Sequence, residues 1–217
     1  MQTITNVQAL PGWSTVTGPS IGPVPPSKFA LTQQQRGLAT SILIAVTGVP
    51  GAYADLMARS PDVPLPANTG SLKMLTTFAV DAGSLLYTQA AEIGTKVTGP
   101  NGLTLNGQTQ WNYSTDPKLM VLDVTGPTFD WVPTAVKIPK FAPGLHTELR
   151  TYAFTPEGIL LASIEVDGIL YPVDGPVAPG QALGWGKNAM IAGFQPDTNP
   201  KGGAWNWEVF DVRWLVS

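Results

Sequence analysis

The 217-residue chain contains no cysteine. That absence excludes a disulfide framework, a thiolate metal site and a cysteine nucleophile. Charge is also scarce. Charged residues make up 12% of the chain, about half the share usual in soluble domains. Ser, Thr, Asn, Gln and Gly must therefore cover the surface. The 12 Lys and Arg are scattered without a basic run, which argues against nucleic acid, because phosphate binding depends on clustered cations. There is one histidine, and no Gly-x-Ser-x-Gly elbow, Walker loop or His-rich metal motif. The longest apolar run, Ile42 to Val46, is too short to cross a bilayer. Met1 to Asn6 has neither the basic nor the apolar part of a signal peptide. The expectation is a soluble protein with no membrane partner, extracellular if a leader was trimmed.

What the chain does have is 43% hydrophobic residues, 23 Gly and 21 Pro. The glycines and prolines separate short β-rich runs, a pattern of turns in an all-β protein. Strands are expected near 12–17, 40–47, 72–80, 85–97, 103–114, 118–125, 134–138, 146–154, 158–166, 169–173, 188–195 and 205–216. Their spacing of about ten residues with turn signals points to a sandwich or jelly roll. Helical signal is thin: 51–60 (GAYADLMARS) has room for two turns, and 31–39 (LTQQQRGLA) is weakened by Gly37. The Pro-rich stretch 19–27 and the stretch 60–70 read as loops. Neither divides the chain, so residues 1–217 are expected to form one domain.

The last strand, GGAWNWEVFDVRWLV, alternates. Trp205, Trp207, Val209, Asp211 and Arg213 share one face by simple period-two counting, and Asn206, Glu208, Phe210, Val212 and Trp214 the other. Large apolar groups fall on both, which predicts a central strand buried on two sides. Truncating it is expected to unfold the protein.

Between two apolar runs, Asp167-Gly168 is a hairpin signal, because a type I′ turn needs positive φ. The surrounding stretch, TYAFTPEGILLASIEVDG (151–168), resembles the strand–turn–strand of concanavalin A-like lectin/glucanase proteins. The matching residues are Tyr152, Phe154, Thr155, Pro156, Ile159, Val166, Asp167 and Gly168. Asp211-Val212-Arg213 is similar to a closing strand of that superfamily. The likeness covers 72–217; Trp13 is placed near the start of the first strand. It implies an all-β fold, a two-sheet antiparallel jelly-roll sandwich with one or two short helices. It also implies a carbohydrate site on the concave sheet face.

Glucanases of this superfamily carry Glu-x-Asp-x-x-Glu on one strand, with the acids of retaining enzymes about 5 Å apart. The matching strand here is QAAEIGTKV (89–97). It keeps Glu92, but the next same-face positions are Gly94 and Lys96, so no carboxylate pair forms along it. The metal site of legume-type lectins fails in the same way, since Gly94 stands where an Asp would bind the ion. No cofactor is expected, and calcium finds no ligand cluster.

Three other features suit a sugar. Gln108, Gln110 and Asn112 alternate along 106–116 and offer uncharged donors and acceptors; the same amides also suit a merely solvated face, with Trp111 and Tyr113 in the core. Trp185, in the loop GWG, is placed to stack on a ligand or to pack in the loop. His146 and Glu148 lie on one strand face with Arg150, a candidate general base beside its tuning acid or a structural charge ladder.

The candidate carbohydrate-binding residues are thus Glu92, Gln108, Gln110, Asn112, His146 and Trp185. Glu92, His146 and Glu148 are the candidate catalytic groups. The expected function is a lectin-like module for an oligo- or polysaccharide. The alternatives are a glycan-cleaving hydrolase or lyase of the same fold, or a structural assembly protein. The missing carboxylate pair weighs against an enzyme.

Overall fold

The structure, a computed structural model, describes residues 2–17, 28–48, 56–66, 68–98, 104–112, 118–123, 130–137, 142–155, 158–173, 189–198 and 201–217. In chain order the strands are β1 (Gln2–Ile4), β2 (Ser14–Thr17), β3 (Lys28–Arg36), β4 (Ala39–Gly48), β5 (Leu56–Arg59), β6 (Val63–Pro64), β7 (Ser71–Val80) and β8 (Thr88–Thr98). There follow β9 (Thr104–Asn112), β10 (Lys118–Asp123), β11 (Asp130–Lys137), β12 (Gly144–Thr155), β13 (Gly158–Val166), β14 (Ile169–Pro172), β15 (Ala189–Thr198) and β16 (Gly203–Val216). Helix is confined to one α-turn, α1 (Ala82–Leu85), and a 3-10 turn at Val7–Ala9 among the described residues.

The strands form two antiparallel sheets. The first runs β14-β13-β12-β7-β16-β4-β3, with β1 added on β16. The second runs β11-β10-β9-β8-β15-β5-β2, with β6 added on β15. They pack face to face as a jelly-roll sandwich. In β7 (SLKMLTTFAV) the alternation is complete: Leu72, Met74, Thr76, Phe78 and Val80 are buried against the second sheet, and their neighbours face outward. Trp207 binds the layers together. Its ring meets Phe78 of its own sheet and Phe194 of the other edge-on, each at 5.6 Å, contacts worth about 0.5–1.5 kcal/mol beyond their buried area.

Three sequence expectations change. First, β16 is central, between β7 and β4, but it does not bury two faces. The register slips by one residue between Val209 and Asp211. This bulge takes up Phe210 and reverses the alternation, so Trp205, Trp207 and Val209, then Val212, Trp214 and Val216, all point into one core. Second, 31–39 is not helical. Residues up to Arg36 belong to β3, paired along its length with β4. Its three glutamines carry no helical apolar period, and the ladder supplied by β4 decides the conformation. Third, Leu56–Arg59 of the proposed helix 51–60 is β5, between β2 and β15; residues 51–55 lie outside the described residues, as do 19–27.

The Asp167-Gly168 turn is as expected. Asp167 has φ 50° and Gly168 φ 82°, the two positive angles of a type I′ hairpin. Asp167 also anchors the turn to β12, accepting from the Thr147 amide at 2.8 Å.

Candidate functional site

β8 lies in the interior of the second sheet, between β9 and β15. Its odd positions, Ala91, Ile93, Thr95 and Val97, are buried toward the first sheet: Ile93 is a core residue, and Thr95 donates to Met74 Sδ. By alternation, Glu92, Gly94 and Lys96 face the other way, onto the outer face of the second sheet. The ladder with β15 sets Gln195 opposite Glu92, Gly193 opposite Gly94 and Ile191 opposite Lys96. Asp197, opposite Ala90, falls on that face beside Gln195, whose side-chain amide donates to it at 3.3 Å.

These outward groups are set back from the surface. Glu92 is 2% exposed and Asp197 6%. At the middle of the face, Gly94 and Gly193 are cross-strand partners and contribute no side chain. A Cβ on Gly193 would stand 2.4 Å from Met57 Sδ, so the thioether lies over this glycine and would have to move to admit a side chain there. Arg59 pairs with Gly193 from β5 and holds Asp62 at 2.6 Å. Burial, and after it the charge of Arg59, lowers the Lys96 ammonium from its ordinary value. The face is therefore acidic at Glu92 and Asp197, covered by Met57 at Gly193, and basic at Lys96 and Arg59.

On the far side of β8, β9 sets Gln108 opposite Gly94, Gln110 opposite Glu92 and Asn112 opposite Ala90. The backbone register thus brings the three predicted amides beside this face. Their side chains lie outside the described part of the structure, as do Tyr113 and Trp185 entirely.

His146, Glu148 and Arg150 go elsewhere. They belong to β12, in the first sheet, and point into the space between the sheets. His146 is 8% exposed, Glu148 1% and Arg150 0%. Both ring nitrogens of His146 are engaged, Nδ1 with Asp167 Oδ2 at 2.8 Å and Nε2 with the Ala142 carbonyl at 2.6 Å. Glu148 forms an ion pair with Arg150, which also donates across the sandwich to the Ile93 carbonyl. Burial alone would lower the Arg150 pKa, but Glu148 and Tyr152 hold it above its ordinary value. The alternation that put these residues on one face is correct. That face is interior, and the backbone of the second sheet separates it from Glu92.

Among the described residues no group of three or more His, Asp or Glu is placed to hold a metal ion, and no helix is long and apolar enough to cross a membrane. Sequence reasoning missed Asp197, Gln195, Lys96 and Arg59 as site residues. Period-two counting within β8 had flagged Lys96 as a same-face neighbour of Glu92, but the others join the face through pairing between strands far apart in sequence.

No protein family matches the chain by sequence, and no curated protein matches it. Its fold is similar to several solved structures. With an endo-β-1,4-glucuronan lyase from the fungus Trichoderma reesei it shares 9% identity at a TM-score of 0.56, over 94% of this chain and 95% of that one. A prokaryotic β-1,3-1,4-glucanase (lichenase) from a mouse hindgut metagenome gives 10% identity and a TM-score of 0.51, over 99% of both chains. The CBM2 module of the evolved Dit of Lactobacillus casei BL23 phage J-1 gives 9% and 0.51, over 95% of this chain and 90% of that one. At such identities the likeness is one of fold: a two-sheet antiparallel jelly-roll sandwich.

Proposed function

We propose that the chain is a carbohydrate-binding module that takes an oligo- or polysaccharide on the outer face of its second sheet. One observation carries the reading. Glu92, Lys96, Gln195 and Asp197 face outward from two central strands and are nevertheless buried or half-buried, around a glycine pair that Met57 covers at Gly193. Carboxylates, an amide and an ammonium gathered on one face supply the acceptors and donors that sugar hydroxyls use. The glucanase, lyase and binding-module neighbours support the same substrate class. The test is a glycan array on the purified chain, with and without calcium. Binding that is lost in Glu92→Ala and Gln195→Ala and is indifferent to calcium is expected. Binding to no glycan would sink the reading.

A second reading rests on Asp197. It lies diagonally across the ladder from Glu92, on the neighbouring strand, and diagonal cross-strand side chains fall within about 7–8 Å. Two carboxylates so placed suit glycoside hydrolysis, one as proton donor and one as nucleophile or base. Release of reducing ends that stops in both Glu92→Gln and Asp197→Asn would favour the hydrolase. Binding without turnover favours the module.

A further inference from the structure

A strand at the edge of a sheet leaves a row of N–H and C=O groups without a ladder partner. The edges here are β14 and β3 in the first sheet, and β11 and β2 in the second. Three of them are blunted. β14 and β2 have four residues each, and β14 ends in Pro172. β11 carries Pro133 and meets β10 through a register shift. β3 has none of these devices. It is nine residues long, holds no proline, and pairs with β4 in unbroken register from Lys28 to Arg36. Its two charged residues stand at its ends, and Glu208 takes the charge of Arg36. Among the described residues no backbone group bonds to its outer side. The Gln33 amide donates to the carbonyls of Gln8 and Leu10, but through its side chain alone.

The hairpin turn fixes which groups this edge presents. Gly37 and Leu38 form a two-residue loop between the paired Arg36 and Ala39. Of the two, only Gly37 has a positive φ, 65°, the mark of a type II′ turn. The residues flanking such a loop bond to each other, so Arg36, Gln34, Thr32 and Ala30 bond to β4. The alternate residues Leu31, Gln33 and Gln35 turn their N–H and C=O groups to the open edge.

We infer that β3 pairs with β3 of a second copy of the chain, antiparallel about a two-fold axis at Gln33. The inference does not depend on the carbohydrate reading. The axis sets Gln33 opposite itself, Leu31 opposite the second copy's Gln35, and Thr32 opposite its Gln34. Outward residues thus meet outward residues, and the ladder closes with about six backbone bonds. Gln34 gives its Oε1 to Arg36, which leaves its amide N–H groups for the Thr32 hydroxyl opposite. Charge selects the register. An axis at Thr32 would set Lys28 directly against the second copy's Arg36, a repulsive pair. With the axis at Gln33, Arg36 falls opposite Ala30 and Lys28 opposite Leu38. Leu38, at the hairpin tip, is wholly exposed, and this register lays it alongside the far end of the second copy's β3. A strand of another protein would satisfy the backbone equally well. The match of β3 to itself in charge, amides and hairpin tip favours a second copy and an isologous dimer.

The experiment is sedimentation velocity of the full chain over a range of concentrations. A monomer–dimer equilibrium is expected. Gln33→Lys and Gln33→Glu, each checked for folding by circular dichroism, bring like charges together at the axis and should each weaken the dimer at least about tenfold. An equimolar mixture of the two should recover it, because ammonium then meets carboxylate. Gln35→Pro removes one outward N–H and no bond to β4, so it should weaken the dimer even where the Gln33 variants fail to fold. Hydrogen exchange at the Leu31, Gln33 and Gln35 amides should slow as concentration rises, while that at Thr32 and Gln34 stays constant. A parent that stays monomeric to about 1 mM, the weak end of measurable association, overturns the inference. So does a dimer that survives all three variants, or a mixture that recovers nothing.

Discussion

Tyr152 and Thr95 meet across the sandwich. The phenol of Tyr152, on the first sheet, donates to the hydroxyl of Thr95, on the second, at 3.1 Å. Two residues earlier on the same strand, Arg150 makes the same crossing to the Ile93 carbonyl. Two neighbouring inward positions of β12 are thus tied to β8, the strand whose opposite face carries Glu92 and Lys96. Tyr152→Phe deletes one tie while keeping the ring. It is expected to lower unfolding free energy by about 0.5–1.5 kcal/mol in urea titration, with glycan binding intact.

Glu148 and Arg150 form an interior ion pair, and its removal separates a structural role from a catalytic one. Glu148→Leu leaves a buried guanidinium uncompensated and should cost about 3–5 kcal/mol. The double variant Glu148→Leu/Arg150→Met removes both charges and should recover most of that loss. If the double variant is as unstable as the single, the pair is not the source of the cost. If it is stable but no longer binds glycan, Glu148 serves the site after all.

Asp211 gives a pH signature. Its side chain is 15% exposed and pairs with Arg213 at 2.5 Å. Burial raises its carboxyl above the ordinary range despite the opposing pull of Arg213. A carboxyl with a raised folded-state value favours the fold when protonated, and that contribution is lost as pH rises through the folded value. Asp211→Asn should therefore melt higher than the parent at pH 7, and the gap should close as pH falls below about 4, where carboxyls are protonated in both states. A gap that widens toward acid would reverse the assignment.

Phe210 is the extra residue of the bulge. Deleting it leaves Val209 opposite Phe78 and Asp211 opposite Thr77, and strict alternation then keeps Val212, Trp214 and Val216 on the inward face. The deletion should therefore fold, as Phe210→Ala should. Circular dichroism and size-exclusion chromatography check both, and a deletion that does not fold would show that the kink of the bulge is itself required.

The bulge shows what the sequence carries and what it conceals. Strands were legible wherever apolar residues alternate, as in β7, and the Asp167-Gly168 turn was legible from backbone chemistry alone. The change of phase from Val209 to Val212 was also present, and counting straight through it made one buried face look like two. β3 was hidden because Gln33, Gln34 and Gln35 carry no pattern, and only pairing with β4 makes them a strand. The site follows the same division. Glu92 could be found along β8. Asp197 could not, because its neighbourhood depends on register between residues about a hundred positions apart in the chain.

The order of strands in space has a consequence for synthesis. β15 and β16 follow the other described strands in chain order; β16 separates β3 and β4 from the rest of its sheet, and β15 separates β2 and β5 from the rest of its own. Before they emerge from the ribosome, each sheet exists as two unconnected parts with open edges on either side of the gap. Inserting these two strands, one into each gap, is then the step that makes one protein out of four fragments of sheet. During translation those edges are open to mispairing, and the wait for β15 and β16 sets how long they stay open.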